Sequence, residues 1–415
     1  MDVLTRRWRR AARHLRRRTF ASLEQRNYRL YFLGQGISST GTWLQLIAEN
    51  WLIIRLGGSG LALGIATALQ FAPIAVFGAY AGVLVDRWNK RRLLLVTQSL
   101  SAMIAAAVGI VALTGTARIW MVWTAALLLG CVNAFDGPAR QVFTVELVGI
   151  ERVANAVALN NAVGVSARAV GPALGGLLIA ALGIAPSFLL NAASYLIVLL
   201  TLTAMDSGQL RAVPAQPRQR GQVGAGLRYV RHRPALCTVL LMVAVIGILG
   251  TNFQLLLTLL AAETLHAGAA LYGALMSCLG AGMLLGSLIS AGRHHPTPRT
   301  AGLCSAALGL AYVFVALSPL LTLTFIGVAV MGTACGLFLA TASATLHTAT
   351  DDSMRGRVMA LYTIAFLGTT PLGGPLIGSI AVHWSVTVAL LASAASCLLA
   401  ALLALGARAD PPAAT

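Results

Sequence analysis

Polar residues recur along one otherwise apolar stretch near the start of the chain, at spacings of three and four: Gln35, Ser38, Thr42, Gln45 and Glu49. On a helix these positions share one face, within an arc of about 80° at about 100° per residue. A charged side chain that faces lipid at the bilayer centre costs at least about 2.5 kcal/mol. The stripe therefore predicts a helix face that meets other helices or a watery cavity, and its residues are candidates for a substrate or proton pathway.

Glu49 is the one carboxylate well inside a predicted membrane span. Burial disfavours the charged form of a carboxyl group, whereas a nearby cation favours it, so Glu49 is our candidate proton carrier. The residue also lies near the outer end of its helix, close to Trp51 and Arg55. A position in the membrane interface, without a role in proton transfer, is thus an equal alternative.

Arg168 falls near the middle of another apolar stretch, where an ionised side chain indicates a function and needs a partner. Glu49, Asp136 and an anionic substrate are the candidate partners. A structural ion pair that orders the helices is as well supported as contact with a substrate. Asn161 and Asn252 are further candidates for hydrogen bonds to a substrate in the pathway.

The composition indicates the solvent around these polar groups. Of 415 residues, 58% are hydrophobic and 10% are charged, against about a quarter charged in soluble proteins. A spanning helix needs about 20 apolar residues, so we predict an all-α integral membrane protein of about 12 transmembrane helices. The net charge of +18 lies between the apolar runs, so we expect no nucleic-acid partner. The six cysteines lie inside apolar runs without metal-type spacing, so we expect no metal site.

Apolar runs, turns and charges divide the chain into two six-helix halves, residues 29–205 and 235–407. An Arg-rich arm (1–28) precedes the halves, a polar linker (206–234) joins them, and a short tail (408–415) follows. The predicted helices of the first half lie near residues 29–54, 61–84, 93–113, 119–135, 155–182 and 186–204. Those of the second half lie near residues 235–260, 270–291, 301–317, 320–345, 358–382 and 385–407.

Basic residues indicate the orientation of these helices. All but three of the 30 Lys and Arg residues fall at the termini and in the even-numbered connections. The exceptions are Arg55, Arg118 and Arg168. Because cytoplasmic loops hold the excess of Lys and Arg, we predict a multi-pass protein of the cell membrane with both termini and the linker in the cytoplasm.

A weak internal repeat relates the two halves. Gly171-Pro172-Ala173-Leu174-Gly175 and Gly374-Pro375-Leu376-Ile377-Gly378 are separated by 203 positions, and the same shift places Arg152 on Arg355. Two six-helix halves in the same orientation are typical of transporters that rock about a central site. Glycine permits close helix contact and proline bends a helix, so Gly171, Pro172 and Gly175 are candidates for a conformational role. Plain helix packing is the alternative.

The stretch Gly82-Val83-Leu84-Val85-Asp86-Arg87-Trp88-Asn89-Lys90-Arg91-Arg92 resembles the signature loop of the major facilitator superfamily. This resemblance implies the major facilitator fold and a gating role for Gly82, Asp86, Arg87 and Arg91. A basic loop that only sets topology is the alternative. The corresponding segment of the second half keeps Arg293 and Arg299 but has no acidic residue, so any such gate is asymmetric.

Several further segments are similar to the efflux branch of this superfamily, the group of enterobactin exporters and transmembrane secretion effectors. They are Gly41-Thr42-Trp43, Phe135-Asp136-Gly137-Pro138-Ala139-Arg140-Gln141, Ser166-Ala167-Arg168-Ala169-Val170-Gly171-Pro172, Gly226-Leu227-Arg228-Tyr229-Val230 and Arg355-Gly356-Arg357-Val358-Met359. The resemblance adds Asp136, Arg140, Arg355 and Arg357 to the gating candidates. Related members often have an acidic residue at the Thr42 position, which this chain lacks.

These observations predict a secondary active, proton-coupled exporter of an amphiphilic small molecule, such as a drug, an antibiotic or a siderophore. The partners are then the lipid bilayer and the small-molecule substrate, the chain is a monomer, and the proton gradient replaces a cofactor. A lipid or lysolipid flippase and a solute importer on the same fold remain alternatives. The sequence has no ATP-binding loop and no reactive constellation of an enzyme. Scarce buried charge favours an apolar or weakly charged solute.

Overall fold

A computed structural model describes residues 20–211, 222–292 and 296–406. The predicted arm (1–28), linker (206–234) and tail (408–415) therefore lie partly or wholly outside the described residues, as does Arg293. Six long helices form the first half: α1 (Arg26–Arg55), α2 (Gly60–Arg87), α3 (Lys90–Leu113), α4 (Ile119–Val148), α5 (Val153–Leu182) and α6 (Ala185–Thr203). Short 3₁₀ turns lie at Ala21–Glu24, Ile150–Arg152 and Ser207–Gln209.

The second half begins with a short helix, α7 (Gln222–Arg231), and continues with α8 (Pro234–Val245), α9 (Phe253–Leu259), α10 (Ala269–Ala291), α11 (Pro298–Ala316), α12 (Leu321–Thr348), α13 (Arg355–Leu367), α14 (Thr370–His383) and α15 (Val386–Leu405). Two π-helical turns, Ile246–Gly250 and Leu260–Thr264, adjoin α9. Together α8, α9 and these turns form one span, and α13 and α14 form another.

Eleven of these helical stretches are long and apolar enough to cross a membrane. Helix α1 is as long as the others, at 30 residues, but its polar stripe keeps it outside this set. It packs lengthwise against α5 and α6, inside the bundle rather than at its margin. With α1 the bundle has twelve spanning units, and the prediction of an all-α membrane protein of about 12 helices is confirmed.

Several predicted helix boundaries are wrong, for physical reasons. Helix α4 was expected to end at Phe135 because polar residues follow, but it continues to Val148. It can do so because Asp136 and Arg140 are one turn apart and pair with each other inside the helix. The predicted linker contains α7, and the two predicted helices 235–260 and 358–382 are interrupted rather than continuous.

The interruption between α8 and α9 frees backbone groups at membrane depth, and side chains satisfy them. The Asn252 amide donates to the carbonyl of Ile248 at 2.7 Å, and the Tyr312 hydroxyl donates to the carbonyl of Gly250 at 2.9 Å. Irregular backbone is tolerated within a membrane only where such partners exist. Gly247 in this interruption lies against Thr369 in the break between α13 and α14, so the two breaks pack on each other.

The helices alternate in direction, so their connections lie at two ends of the bundle. We call the end with residues 56–59, 114–118 and 183–184 the distal end, and the end with residues 88–89, 149–152 and 204–211 the linker end. The two halves meet most extensively along α2 with α14 and along α5 with α10.

Glycine lines these two crossings near the distal end. A methyl group at Gly64 would overlap the backbone of Gly374, one at Gly378 would overlap that of Gly60, and one at Gly176 would lie 2.5 Å from the carbonyl oxygen of Ala269. Small residues let helices in a membrane approach at backbone distance, where dispersion contacts accumulate. We call these crossings the glycine seam, which consists of Gly60, Gly64, Gly374 and Gly378 on one side and Gly176 and Gly273 on the other.

We expect Gly64→Ala to destabilise the protein by about 1–3 kcal/mol, because the added methyl group overfills a backbone contact between the halves. Unfolding by sodium dodecyl sulfate, followed by circular dichroism, measures this change. Gly78→Ala on the same helix is the matched control, because a Cβ at Gly78 meets nothing within 4 Å. Equal stabilities of the two variants would contradict a tight seam at Gly64.

Candidate functional site

A cavity of about 720 Å³ lies among the helices of the first half. Each of the helices α1 to α6 contributes to its lining, and most of the lining side chains are polar. The cavity extends from Glu49, near the distal end of α1, toward Arg140 and Asn160, near the linker end. A concave space of this size with convergent polar side chains is the kind of site that binds a small solute.

The polar stripe of α1 faces this cavity. The lining includes Gln35, Ser38, Thr42, Gln45 and Glu49, together with Asn161 and Arg168 from α5. Gln45 is held in place because its Oε1 accepts a hydrogen bond from the Asn191 amide of α6 at 2.7 Å. Asn191 in turn accepts from the Ser194 hydroxyl at 2.9 Å. The structure therefore assembles the stripe and α5 around one space.

Asn252 does not belong to this group. Its side chain is buried in the second half, where it donates to the Ile248 carbonyl. The sequence argument also missed lining residues on other helices: Gln70, Gln98, Ser101, Asn133 and Tyr195. In the sequence each of these residues is a polar side chain inside an apolar run, which indicates a face turned away from lipid. That pattern alone does not show which helices converge on one cavity.

Glu49 is buried, with 9% of its surface exposed. Within the part of the chain that the structure describes, its carboxyl group has no hydrogen bond and no ion pair, and Arg55 does not reach it. Its neighbour Asn50 donates to the Tyr272 hydroxyl of α10 at 2.8 Å, and Tyr272 lies close enough to interact electrostatically with Glu49. Glu49 thus combines burial, an unpaired carboxyl group and a position at the junction of the halves.

Arg168 lines the cavity, and no acidic side chain among the described residues pairs with it. Its guanidinium lies 5.2 Å from the centroid of the Trp43 ring, and its Nη1 lies 3.8 Å from the sulfur of Met283 on α10. Of the candidate partners, neither Glu49 nor Asp136 forms an ion pair with it among the described residues. The predicted structural ion pair is therefore absent from this arrangement, and the positive charge faces the cavity.

Asp136 is fully engaged by other groups. Its Oδ1 accepts hydrogen bonds from the Thr97 hydroxyl at 2.7 Å and from the Gln98 amide at 2.8 Å, both on α3. Its Oδ2 accepts from Nε of Arg140 in the same helix. These bonds fasten α4 to α3 at the linker end. Asp136 is thus tied to the body of α3, and its predicted gating role stays a prediction.

The signature loop forms the tight turn between α2 and α3. The Asn89 side chain caps α3 by accepting from the backbone N–H of Arg92 at 3.0 Å. Arg91 donates to the carbonyl of Leu202 at 2.9 Å, at the C-terminal end of α6, where a cation is favourable. Arg87 is exposed. The side chain of Asp86 and the environment of Gly82 lie outside the described part of the structure. The gating role of these two residues therefore stays a prediction.

The other gating candidates lie in two places. Gly171 and Gly175 let α5 approach α1, since a Cβ at Gly171 would lie 2.5 Å from that of Trp43, and Pro172 lies between them inside the helix. Arg355 pairs with Asp352 at 2.7 Å, and Arg357 contacts the sulfur of Met354, both at the linker end. The sequence argument missed Gly60, Gly64 and Gly273 of the seam, although the Gly-x-x-x-Gly spacing of Gly60 and Gly64 indicates close packing.

Asp136→Asn should destabilise the protein by about 3 kcal/mol or more, because it keeps the shape and hydrogen-bond acceptor but leaves Arg140 without its charge partner. Asp352→Asn, in an exposed pair, should cost less than about 1 kcal/mol. Unfolding titrations of both variants in the same detergent compare the two. A similar small loss in both would show that the Asp136 pair contributes no more than a surface ion pair.

The family model for the transmembrane secretion effector matches residues 17–413 of the chain. The multidrug efflux pump Tap of Mycolicibacterium fortuitum is 27% identical over 365 residues, which cover 83% of this chain and 88% of that protein. An uncharacterized MFS-type transporter, YfiS of Bacillus subtilis (strain 168), is 26% identical over 62% of each chain. The staphyloferrin A transporter of Staphylococcus aureus (strain NCTC 8325 / PS 47) is 28% identical over 41% of this chain and 43% of its own. The matches thus span less than two thirds of the last two relatives.

Solved structures show the same fold. A bacterial homologue of the human lysosomal transporter Spinster, in an inward-facing and unoccupied conformation, has a TM-score of 0.73 at 13% identity and covers 92% of this chain and 95% of its own. A POT family transporter in complex with a thioalcohol conjugated peptide has a TM-score of 0.74 at 10% identity, over 92% and 96% of the two chains. The chain therefore belongs to the transmembrane secretion effector family of the major facilitator superfamily, whose members are membrane transporters and not enzymes.

Proposed function

We propose that this transporter is a proton-coupled exporter that moves amphiphilic small molecules outward by alternating access, with the substrate bound in the cavity of the first half. The observation that carries the proposal is the cavity itself, which holds an unpaired, buried Glu49 next to the closed junction of the halves. A proton site and a solute site in one space are what an exchanger needs.

Alternating access requires that one end of the pathway be closed while the other is open. At the distal end, the glycine seam brings backbone against backbone, and the Asn50 amide bonds Tyr272 across the junction. The seam places glycine backbone against glycine backbone, a contact that two packed bodies can break by a rigid-body rotation. If the linker end is cytoplasmic, this conformation receives substrate from the cell interior.

Exchange of a proton for a substrate requires that both compete for one site. Burial penalises the charged form of a carboxyl group, and a cation or a hydrogen-bond donor relieves that penalty. Glu49 is buried, and within the described part of the chain its carboxyl group has no ion pair. A substrate group that donates to Glu49 therefore favours loss of the proton, and departure of the substrate favours its return. This competition is antiport in its simplest form.

The relatives support export as the direction. Two of them are described as the multidrug efflux pump Tap and the macrolide efflux protein A, and a third as the staphyloferrin A transporter. These descriptions concern those proteins and their own substrates. We therefore infer the direction of transport from them and derive the substrate from the cavity of this chain.

Inside-out vesicles that contain the protein should accumulate fluorescent amphiphiles when their lumen is made acidic, and the uptake should collapse with an uncoupler. Glu49→Gln should lower this uptake at least about tenfold, the scale expected when a buried charged hydrogen-bonding group is removed. The panel of amphiphiles contains cationic, neutral and zwitterionic dyes, so that the assay covers substrates of each charge type.

Glu151→Gln is the matched control for this assay, because Glu151 is exposed at the linker end and away from the cavity. Its uptake should equal that of the unaltered protein. Uptake that persists without a proton gradient would contradict proton coupling, and accumulation in right-side-out vesicles would indicate an importer. Transfer of labelled lipid between leaflets, without dye uptake, would indicate a flippase.

Orientation is tested by cysteine labelling from one side of the membrane. In a background without native cysteines, Thr116→Cys should react with a membrane-impermeant maleimide in intact cells, because residue 116 is exposed at the distal end. Gln209→Cys, exposed at the linker end, should react only in inside-out vesicles. The reverse pattern would place the termini outside the cytoplasm and contradict the proposed direction of access.

A further inference from the structure

We propose that the cavity selects zwitterionic amphiphiles, whose anionic group binds Arg168 beside Trp43 and whose cationic group binds Glu49. The inference rests on the proposed function and deepens it by naming a substrate class for the same site. It replaces the expectation of a weakly charged solute, which followed from the scarcity of charge in the sequence rather than from where the charges lie.

The first step concerns Arg168. A guanidinium remains charged in a protein and carries five N–H donors in a planar fork that matches a carboxylate. In this structure the guanidinium lies over the Trp43 ring, and among the described residues its polar neighbour is the thioether sulfur of Met283, a weak acceptor. An ionised group inside a membrane bundle requires a partner. Arg168 lines the cavity, so a carboxylate or similar anion on the solute completes the site.

The second step excludes a partner from the protein. Asp136 already accepts three hydrogen bonds, from Thr97, Gln98 and Arg140. Glu49 lies six residues beyond Trp43 on α1, which corresponds to about 9 Å along the helix axis. Glu49 and Arg168 form no ion pair with each other among the described residues. The cavity therefore presents one unpaired cation and one unpaired carboxyl group, spaced along a single helix.

The third step concerns the space between the two charges. Leu46 lies between Trp43 and Glu49 on α1, and both Trp43 and Leu46 contribute apolar surface to the cavity lining. The Cβ of Trp43 packs directly against Gly171 of α5, where an added methyl group would lie 2.5 Å from it. A flat apolar body can therefore lie along α1 and bridge the charged ends. This lining explains why the solute is amphiphilic rather than a small polar zwitterion.

The fourth step connects charge with exchange. A simple anion at Arg168 would favour the neutral, protonated form of Glu49, so anion and proton would bind together and travel in the same direction. A simple cation would be repelled by Arg168 while it displaced the proton. A zwitterion pairs both groups and removes the proton from Glu49, as outward exchange requires. From α10, Tyr272 faces the same carboxyl group, and it is neutral near pH 7 by its ordinary chemistry.

Binding to the purified protein in nanodiscs, without any gradient, tests this inference. The probes are ciprofloxacin, a flat zwitterion with its carboxylate and ammonium at opposite ends, its methyl ester, which lacks the anion, and its N-acetyl derivative, which lacks the cation. Calorimetry should show that the unaltered protein binds ciprofloxacin at least about tenfold more tightly than either derivative. Arg168→Gln should abolish the preference over the ester, and Glu49→Gln the preference over the N-acetyl derivative.

Arg118→Gln, an exposed residue at the distal end, is the control and should keep both preferences. Arg168→Lys should restore part of the preference, because it keeps the charge but not the fork. Equal binding of the three probes to the unaltered protein would overturn the inference, as would an Arg168→Gln variant that weakens all three equally. Selective binding of ciprofloxacin without gradient-driven uptake would contradict the proposed exporter but support the zwitterion site. Uptake of cationic dyes together with equal binding of the three probes would support the exporter but contradict the zwitterion site.

Discussion

The arrangement of this transporter depends on backbone contact between its halves at one end of the bundle. Lipid offers helices no hydrophobic reason to associate, so close packing must hold the halves together, and glycine permits the closest packing. Gly64 against Gly374 and Gly176 against Gly273 place this contact at the distal end. The Asn50 bond to Tyr272 and the Ser277 bond to the Ala173 backbone lie along the same junction. Under the proposed alternating access, the place where the halves touch decides which end of the pathway is shut.

The two halves are built differently on either side of that junction. The first half has uninterrupted helices, and its polar side chains converge on the cavity. The second half carries the two broken spans, with Asn252 and Tyr312 bonded to the freed carbonyls. Breaks satisfied in this way allow a helix to bend without exposing backbone to lipid. Polar chemistry and irregular backbone are thus separated between the repeats, despite their common topology.

Features of the sequence that depend on one helix were predictable, and features that depend on two helices were not. The spacing from Gln35 to Glu49 reports one face of α1, and that face does line the cavity. By contrast, Asp136 looks like the start of a loop in the sequence, because it is a polar residue after an apolar run. Its partners, Thr97 and Gln98, lie on another helix, and the local sequence does not reveal them. Gly64 indicates a close approach but not that its neighbour is Gly374. Such pairings are long-range, and no local pattern encodes them.

The central claim is that the glycine seam opens during transport. Spin labels at Ser59→Cys and Trp384→Cys, two exposed positions on opposite sides of the seam at the distal end, measure this directly by double electron–electron resonance in nanodiscs. The account predicts one short distance in the protein without substrate and a second, longer population when a transported substrate and a change of pH are applied. A single unchanged distance, in protein from a preparation that transports in vesicles, would contradict it.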